Sequence, residues 1–127
     1  GYGLMKILVV DDSKQIRRHV ARTLEANGHT SCQAEDGLVA LDMLEKEEDI
    51  DLVLMDRYMP VMDGIESLQA IKQEQKYDHI KVVMMTTENK AELIQEALDL
   101  GADEYIMKPL TKEVLEEKLE SLDDDFL

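Results

Sequence analysis

The sequence KILVVDDS at residues 6–13 decides the fold, because a short apolar run there ends at two carboxylates, Asp11 and Asp12. Three later apolar runs also stop at a polar residue: LVLM (52–55) before Asp56, VVMM (82–85) before Thr86, and YIM (105–107) before Lys108. The carboxyl ends of neighbouring parallel strands meet at one edge of a sheet, where such sheets bind ligands. The four runs therefore predict a polar site at the edge of a parallel sheet.

The chain alternates five apolar runs with five helical patterns. The predicted strands are residues 6–10, 30–34, 52–55, 81–85 and 104–107. The middle and outer runs lack period-two alternation, which is typical of strands that helices cover on both faces. Between the runs, apolar residues recur every three or four positions, as in amphipathic helices. The first predicted helix follows Ser13 and stops at Asn27 and Gly28, and the fifth has Thr111 as its N-cap.

This repeat predicts an α/β fold: a doubly wound, flavodoxin-like (βα)5 domain with a five-stranded parallel sheet and helices on both faces. For the strand order 2-1-3-4-5, the switch point lies between strands 1 and 3. Those strands carry Asp11, Asp12 and Asp56 at their ends. We expect residues 5–127 to form this single domain, and we interpret residues 1–4, which show no periodicity, as an expression remnant.

The composition excludes several classes of function. The chain has 127 residues, with 29 acidic and 14 basic side chains and a formal net charge of -15, which disfavours direct binding to nucleic acid. The apolar runs are too short for a membrane span or a secretory signal, so we expect a cytoplasmic protein. The single cysteine, Cys32, allows no internal disulfide, and the sequence offers no zinc-site spacing.

The converging residues suit phosphoryl transfer. Three carboxylates held close together repel one another, and a divalent cation relieves that repulsion. An all-oxygen site with room for water favours Mg²⁺, with Mn²⁺ as the alternative. A carboxylate can attack phosphorus and form an aspartyl phosphate. Such a reaction needs positioning and charge neutralisation, which Lys108 and the Thr86 hydroxyl could provide beside the metal.

Each of these residues also has a purely structural interpretation. Asp12 before Ser13 could cap a helix, Lys108 could lie in an exposed turn, and Thr86 could simply end a strand. The pair formed by Asp63 and Gly64 is interpreted as a turn and a helix start. Coincidence would have to place reactive residues at four separate strand ends, so together they favour a site.

Four motifs resemble those of the receiver domains of two-component response regulators, a family that includes stand-alone chemotaxis receivers. They are ILVVDDS (7–13), LVLMDRYMPVMDG (52–64), VVMMTTE (82–88) and GADEYIMKPL (101–110). The resemblance extends from Met5 to about Leu122, and it supports the strand order given above. It implies a signalling switch that works by self-catalysed phosphoryl transfer and slow autodephosphorylation, without being an enzyme in the usual sense.

The resemblance also implies a role for each site residue. Asp56 is similar to the family's phosphoacceptor, Asp12 to its direct Mg²⁺ ligand, and Asp11 to the acid that holds a water of the metal. Asp56 itself and the backbone carbonyl of Tyr58 would complete the protein ligands. Lys108 would neutralise the phosphoryl oxygens.

Further family features fall on the last two motifs. Thr86 would donate its hydroxyl to the phosphoryl group, and Tyr105 resembles the aromatic switch that turns inward when Thr86 moves. A cis peptide bond is implied between Lys108 and Pro109.

Three residues are expected to tune the rate of hydrolysis: Tyr58, Thr87 and Glu88. The resemblance implies that Tyr58 and Thr87 lie near the path of the attacking water. Tyr58 is larger than the side chain that many relatives carry there, and Thr87 replaces a frequent alanine or glycine. We expect both to slow the loss of the phosphoryl group.

The implied partners are a sensor histidine kinase or phosphotransfer protein as donor and a downstream protein that binds the region from Lys90 to Leu122. We expect a stand-alone receiver of the chemotaxis type, and the alternative is a receiver domain of a larger DNA-binding or enzymatic response regulator. The chain could be a monomer or a weak dimer. A non-phosphorylated interaction module is a further alternative. A flavodoxin-like electron carrier would need a phosphate cradle where Asp11 and Asp12 stand. A haloacid-dehalogenase-type phosphatase would need its two acids separated by one residue.

Overall fold

The computed structural model describes residues 3–122 of the chain. Residues 1–2 and 123–127 lie outside this range, so half of the predicted expression remnant and the last five residues of the predicted domain are not described.

Five β-strands alternate with five α-helices among the described residues, as the sequence predicts. The strands are β1 (Lys6–Val10), β2 (Thr30–Ala34), β3 (Leu52–Met55), β4 (Lys81–Thr86) and β5 (Glu104–Met107). The helices are α1 (Lys14–Ala26), α2 (Gly37–Lys46), α3 (Gly64–Gln73), α4 (Ala91–Asp99) and α5 (Lys112–Ser121). A 3-10 turn at Gln75–Tyr77, which the sequence patterns did not predict, precedes β4.

All strand pairs are parallel, and the sheet order is β2-β1-β3-β4-β5, which confirms the predicted topology. Val10 at the end of β1 is level with Met55 at the end of β3. β4 is one residue longer than predicted, because Thr86 still pairs with β5, opposite Met107. This register brings the ends of the strands to one edge of the sheet.

The core consists of two hydrophobic clusters, one on each face of the sheet. Leu8 and Val10 belong to the first cluster, whereas Ile7 and Val9 belong to the second. Both faces of the central strands are therefore buried, and β1 is fully buried from Ile7 to Val10. The edge strand β2 is more exposed and buries only Ala34 completely. These clusters confirm the predicted three-layer arrangement.

Helix caps fix where the loops beside the strand ends turn into helices. Ser13 caps α1, because its hydroxyl accepts a hydrogen bond from the backbone N–H of Ile16 at 3.3 Å. The structural interpretation of Asp12 as the helix cap is therefore wrong, and the Asp12 side chain is exposed. Thr111 caps α5, as predicted, with a hydrogen bond from the N–H of Val114.

Among residues 3–122, no helix combines the length and the apolar composition that crossing a membrane requires.

Candidate functional site

The polar residues that follow the strands continue the backbone pairing of the sheet for one more step. The N–H of Asp11 donates to the carbonyl of Ala34 at 3.1 Å, and the N–H of Asp56 donates to the carbonyl of Val10 at 2.9 Å. On the other side, the N–H of Lys108 donates to the carbonyl of Thr86 at 3.0 Å. The backbone of these three residues is therefore held by the neighbouring strand rather than by a loose loop.

Three carboxylates converge at this edge. Oxygen atoms of Asp11, Asp12 and Asp56 lie within 4.8 Å of one another. Asp11 and Asp56 are buried, whereas Asp12 is exposed to solvent. Hard divalent cations prefer such all-oxygen ligand sets, and Mg²⁺ keeps several waters when it binds to one or two carboxylates. The donor set therefore fits Mg²⁺ or Mn²⁺.

Lys108 offsets part of this negative charge. Its ammonium donates to Oδ2 of Asp11 at 2.6 Å and to Oδ2 of Asp56 at 2.9 Å. Burial acts to lower the pKa of Lys108, but the hydrogen bonds to Asp11 and Asp56 outweigh it, and the pKa is raised. The N–H of Ser13 also donates to Oδ1 of Asp11 at 2.8 Å. The predicted cluster of carboxylates therefore contains a positively charged side chain, the Lys108 ammonium.

Thr86 and Tyr105 meet the backbone of one residue, Glu88. Thr86 is buried, and its Oγ1 accepts a hydrogen bond from the N–H of Glu88 at 3.3 Å. Tyr105 is also buried, and its hydroxyl donates to the carbonyl of Glu88 at 3.2 Å. Burial raises the pKa of the Tyr105 phenol, and the nearby charge of Arg57 offsets part of that rise. The two predicted switch residues are thus linked through Glu88.

Two of the predicted rate-tuning residues contact each other. The hydroxyl of Tyr58 donates to Oε1 of Glu88, and Oε2 of Glu88 accepts from the N–H of Lys90 at 3.1 Å. The hydrogen bond raises the pKa of Tyr58 and lowers the pKa of Glu88. Tyr58 is 53% exposed, so this contact lies at the surface of the site. The third predicted residue, Thr87, is exposed beside it.

The loop from Asp56 to α3 is tightly built. A Cβ on Gly64 would lie 2.1 Å from the carbonyl oxygen of Asp56, so only glycine fits at the start of α3. Asp63 caps this helix in a capping box with Glu66, which confirms the predicted helix start. Val61 has a φ of 69° and is 72% exposed. The peptide bond between Lys108 and Pro109, across the site, is cis, as the resemblance implies.

Sequence reasoning missed one charged residue beside the site. Arg57 follows Asp56 and is buried, and its guanidinium donates to the carbonyl of Leu93 at 2.7 Å. It also forms an ion pair with Glu96 on α4. The position of Arg57, close behind a fully apolar strand, could have indicated that its side chain is buried. Its partners could not be identified from the sequence, because they lie 36 and 39 residues later.

A family model described as the response regulator receiver domain matches residues 7–120. The chain is similar to a chemotaxis protein CheY homolog of Campylobacter jejuni, with 45% identity over 120 residues, 93% of this chain and 92% of the relative. It is also similar to chemotaxis protein CheY-3 of Vibrio cholerae, with 44% identity over 119 residues, 93% of this chain and 91% of that protein.

Solved structures agree with these relatives. CheY4 of Vibrio cholerae has a TM-score of 0.85 and 35% identity, covering 94% of this chain and 99% of that structure. The CheY of Borrelia burgdorferi, solved with CheX, BeF3 and magnesium, has a TM-score of 0.86 and 29% identity, covering 93% and 88% of the two chains.

Proposed function

The chain belongs to the response regulator receiver domain family, and on that basis we propose that it is a phosphorylation-dependent signalling switch whose phosphoacceptor is Asp56. One observation carries the proposal: the Asp56 carboxylate shares the Lys108 ammonium with the buried carboxylate of Asp11. A nucleophilic carboxylate, an acidic cluster suited to a divalent cation, and a fixed cation are together what phosphoryl transfer requires.

In the proposed reaction, an oxygen of Asp56 attacks the phosphorus of a phosphohistidine on a sensor kinase or phosphotransfer protein. The P–O bond to Asp56 forms while the P–N bond breaks, and the imidazole nitrogen keeps the electron pair and takes up a proton. Lys108 offsets the charge on the phosphoryl oxygens, and Thr86 donates its hydroxyl to one of them. The phosphoryl group later leaves by attack of water on phosphorus, which releases phosphate and restores the carboxylate.

The metal site is part of the proposal. Asp12, Asp56 and the backbone carbonyl of Tyr58 would hold Mg²⁺ or Mn²⁺, and Asp11 would act through a water molecule of the ion. When bound, the ion supplies positive charge toward the phosphoryl oxygens. The exposure of Asp12 and the burial of Asp11 support this division of roles.

The output surface is proposed to be the region from Lys90 to Leu122. Phosphorylation would favour an arrangement of Thr86 and Tyr105 that a partner protein binds better than the alternative. Their shared contacts with Glu88, which lies just before this region, support the coupling. The Borrelia burgdorferi neighbour, whose structure contains CheX, BeF3 and magnesium, supports a partner protein and a metal for this chain as well.

Mass measurement tests the phosphoacceptor directly. Wild type and Asp56→Asn are each incubated with acetyl phosphate and Mg²⁺, and their intact masses are compared. We expect a phosphoryl adduct on wild type only. An absent adduct on wild type, or an equal adduct on Asp56→Asn, would contradict the proposed function.

A further inference from the structure

Arg57 connects the end of β3 to the first two turns of α4. Its side chain is 7% exposed, and its guanidinium donates to the carbonyl of Leu93 at 2.7 Å. The same guanidinium forms an ion pair with Glu96, one helical turn further along α4. Because Arg57 directly follows Asp56, the backbone of the proposed phosphoacceptor and α4 are connected through one side chain. The proposed function leaves this contact without a role.

The ion pair lies at the boundary between core and solvent. Burying a cation is costly unless partners compensate its charge, and Arg57 has both a carbonyl and a carboxylate. The Glu96 side chain is 48% exposed. Removing the charge of Glu96 therefore weakens the contact without opening a cavity in the core, since Arg57 keeps its hydrogen bond to Leu93.

The position of α4 bears on the site through the preceding loop. Residues 87–90 connect β4 to α4, and Glu88 lies within this loop. Its N–H donates to Oγ1 of Thr86, and its carbonyl accepts from the hydroxyl of Tyr105. Contacts that fix the start of α4 therefore also limit where Glu88 can hold the Thr86 hydroxyl.

We infer that Arg57 is a positioning residue: through Leu93 and Glu96 it holds α4 and the loop before it, so that Thr86 is preorganised for a phosphoryl group on Asp56. Groups held in place before binding cost less to order. By linkage, a contact that improves binding of the phosphoryl group is itself stabilised by that group. The inference rests on the proposed function, because it concerns regulation of the same site.

The test uses Glu96→Gln with beryllofluoride and Mg²⁺, the probe present in the Borrelia burgdorferi neighbour. Titration calorimetry gives the Kd, and hydrogen exchange reports on the backbone of residues 87–93. We expect Glu96→Gln to raise the Kd about fivefold, a typical allosteric coupling, and to speed exchange in this segment. Glu92→Gln is the matched control, since it removes the same charge from the exposed first turn of α4 and should leave the Kd unchanged.

A second variant separates positioning from simple stabilisation. Arg57→Met should raise the Kd as well, and adding Glu96→Gln to it should have no further effect, because the two residues act as a pair. An unchanged Kd in Glu96→Gln, even with a lower melting temperature, would overturn this inference alone. Failure of wild type to bind beryllofluoride would overturn the proposed function, and this inference with it.

Discussion

Three carboxyl groups face a single ammonium at the strand ends. Among the described residues, the Lys108 ammonium donates hydrogen bonds to Asp11 and Asp56 but not to Asp12. Repulsion between the carboxylates is therefore reduced but not removed. The repulsion that involves Asp56 acts on the folded state, because unfolding separates Asp56 from Asp11 and Asp12, which are neighbours in the sequence. The stability of the protein should respond to the loss of any one of these charges.

Asp56→Asn tests that balance. We expect the variant to be more stable than wild type without Mg²⁺ by about 1 kcal/mol, or roughly 3 °C in melting temperature. Lys108 keeps its contact with Asp11 in the variant, so no buried cation is left alone. Thermal unfolding followed by circular dichroism gives the shift, and a lower melting temperature would contradict the close geometry of the cluster.

Tyr58 offers a second test at the residue scale. If its ring and its hydrogen bond to Glu88 restrict attacking water, Tyr58→Asn should lose the phosphoryl group roughly fivefold faster, a change of about 1 kcal/mol in the barrier. Tyr58→Phe is the control, because it keeps the ring and removes only the bond to Glu88. Release of phosphate from the phosphorylated proteins gives both rates, and an unchanged rate in Tyr58→Asn would remove Tyr58 from the mechanism.

The sequence predicted the residues that converge because each one follows an apolar strand. Asp11, Asp56 and Lys108 needed only the parallel register to meet. Arg57 escaped prediction because its partners lie on a helix distant in sequence, where no periodicity marks them. From the sequence, either Asp12 or Ser13 could cap α1. Only the backbone geometry shows that Ser13 is the cap.

At the level of the element, strands were easier to predict than turns. Continuous apolar runs mark β1 and β3, whose burial on both faces leaves little choice of residue. The 3-10 turn at Gln75–Tyr77 has only three residues, too few to show a periodic pattern of apolar residues, so the sequence did not predict it. Its Tyr77 hydroxyl donates to Glu45 of α2 at 2.6 Å, a contact between distant parts of the chain.

The start of α3 depends on Gly64. We expect Gly64→Ala to destabilise the fold by about 2 kcal/mol, because the added methyl group meets the backbone of Asp56 rather than a flexible side chain. The variant should also take up less phosphoryl group from acetyl phosphate, since the phosphoacceptor must move. Gly3→Ala is the control, because nothing lies within 4 Å of a Cβ at that position. Urea unfolding gives the free energy of unfolding of each protein. Equal values for Gly64→Ala, Gly3→Ala and wild type would contradict this packing.

The 3-10 turn before β4 leads to a prediction about the stability of the protein at alkaline pH. Burial, followed by the hydrogen bond to Glu45, raises the pKa of Tyr77 from 10.0 to about 12. Across that window the unfolded chain releases the phenol proton while the folded chain keeps it, so stability falls as pH rises. Tyr77→Phe lacks this proton, and its stability should fall less steeply. Urea unfolding at several pH values gives the free energy of unfolding of both proteins. An equal fall of this free energy with pH in wild type and Tyr77→Phe would contradict the raised pKa of Tyr77.

Charge is unevenly distributed over the whole molecule. The chain carries -15 overall, yet α1 holds the exposed cations Lys14, Arg18 and Arg22. None of these three forms an ion pair with another residue in the range 3–122, whereas Lys46, Lys76 and most other cations do. The helix begins directly beside the acidic cluster. A basic surface therefore borders the site of an otherwise acidic protein.

This surface should assist the approach of an acidic protein donor. We expect Lys14→Gln, Arg18→Gln and Arg22→Gln together to slow transfer from a histidine kinase that phosphorylates this chain by roughly tenfold at low salt. Transfer from acetyl phosphate should change little. The control removes three cations that are already paired, Lys46, Lys76 and Lys118. Equal rates at low and high salt would contradict electrostatic steering.

The ion pair between Asp11 and Lys108 joins residues 97 positions apart, most of the length of the described chain. A ribosome makes Asp11 early and Lys108 late, so the nascent chain carries the acidic residues long before it carries their cation. β1 can pair with β2 and β3 in that interval, but the pocket between them has no cation from β5. Completion of the site therefore coincides with completion of the sheet, and a fragment released before β5 would carry the acceptor carboxylate without its lysine.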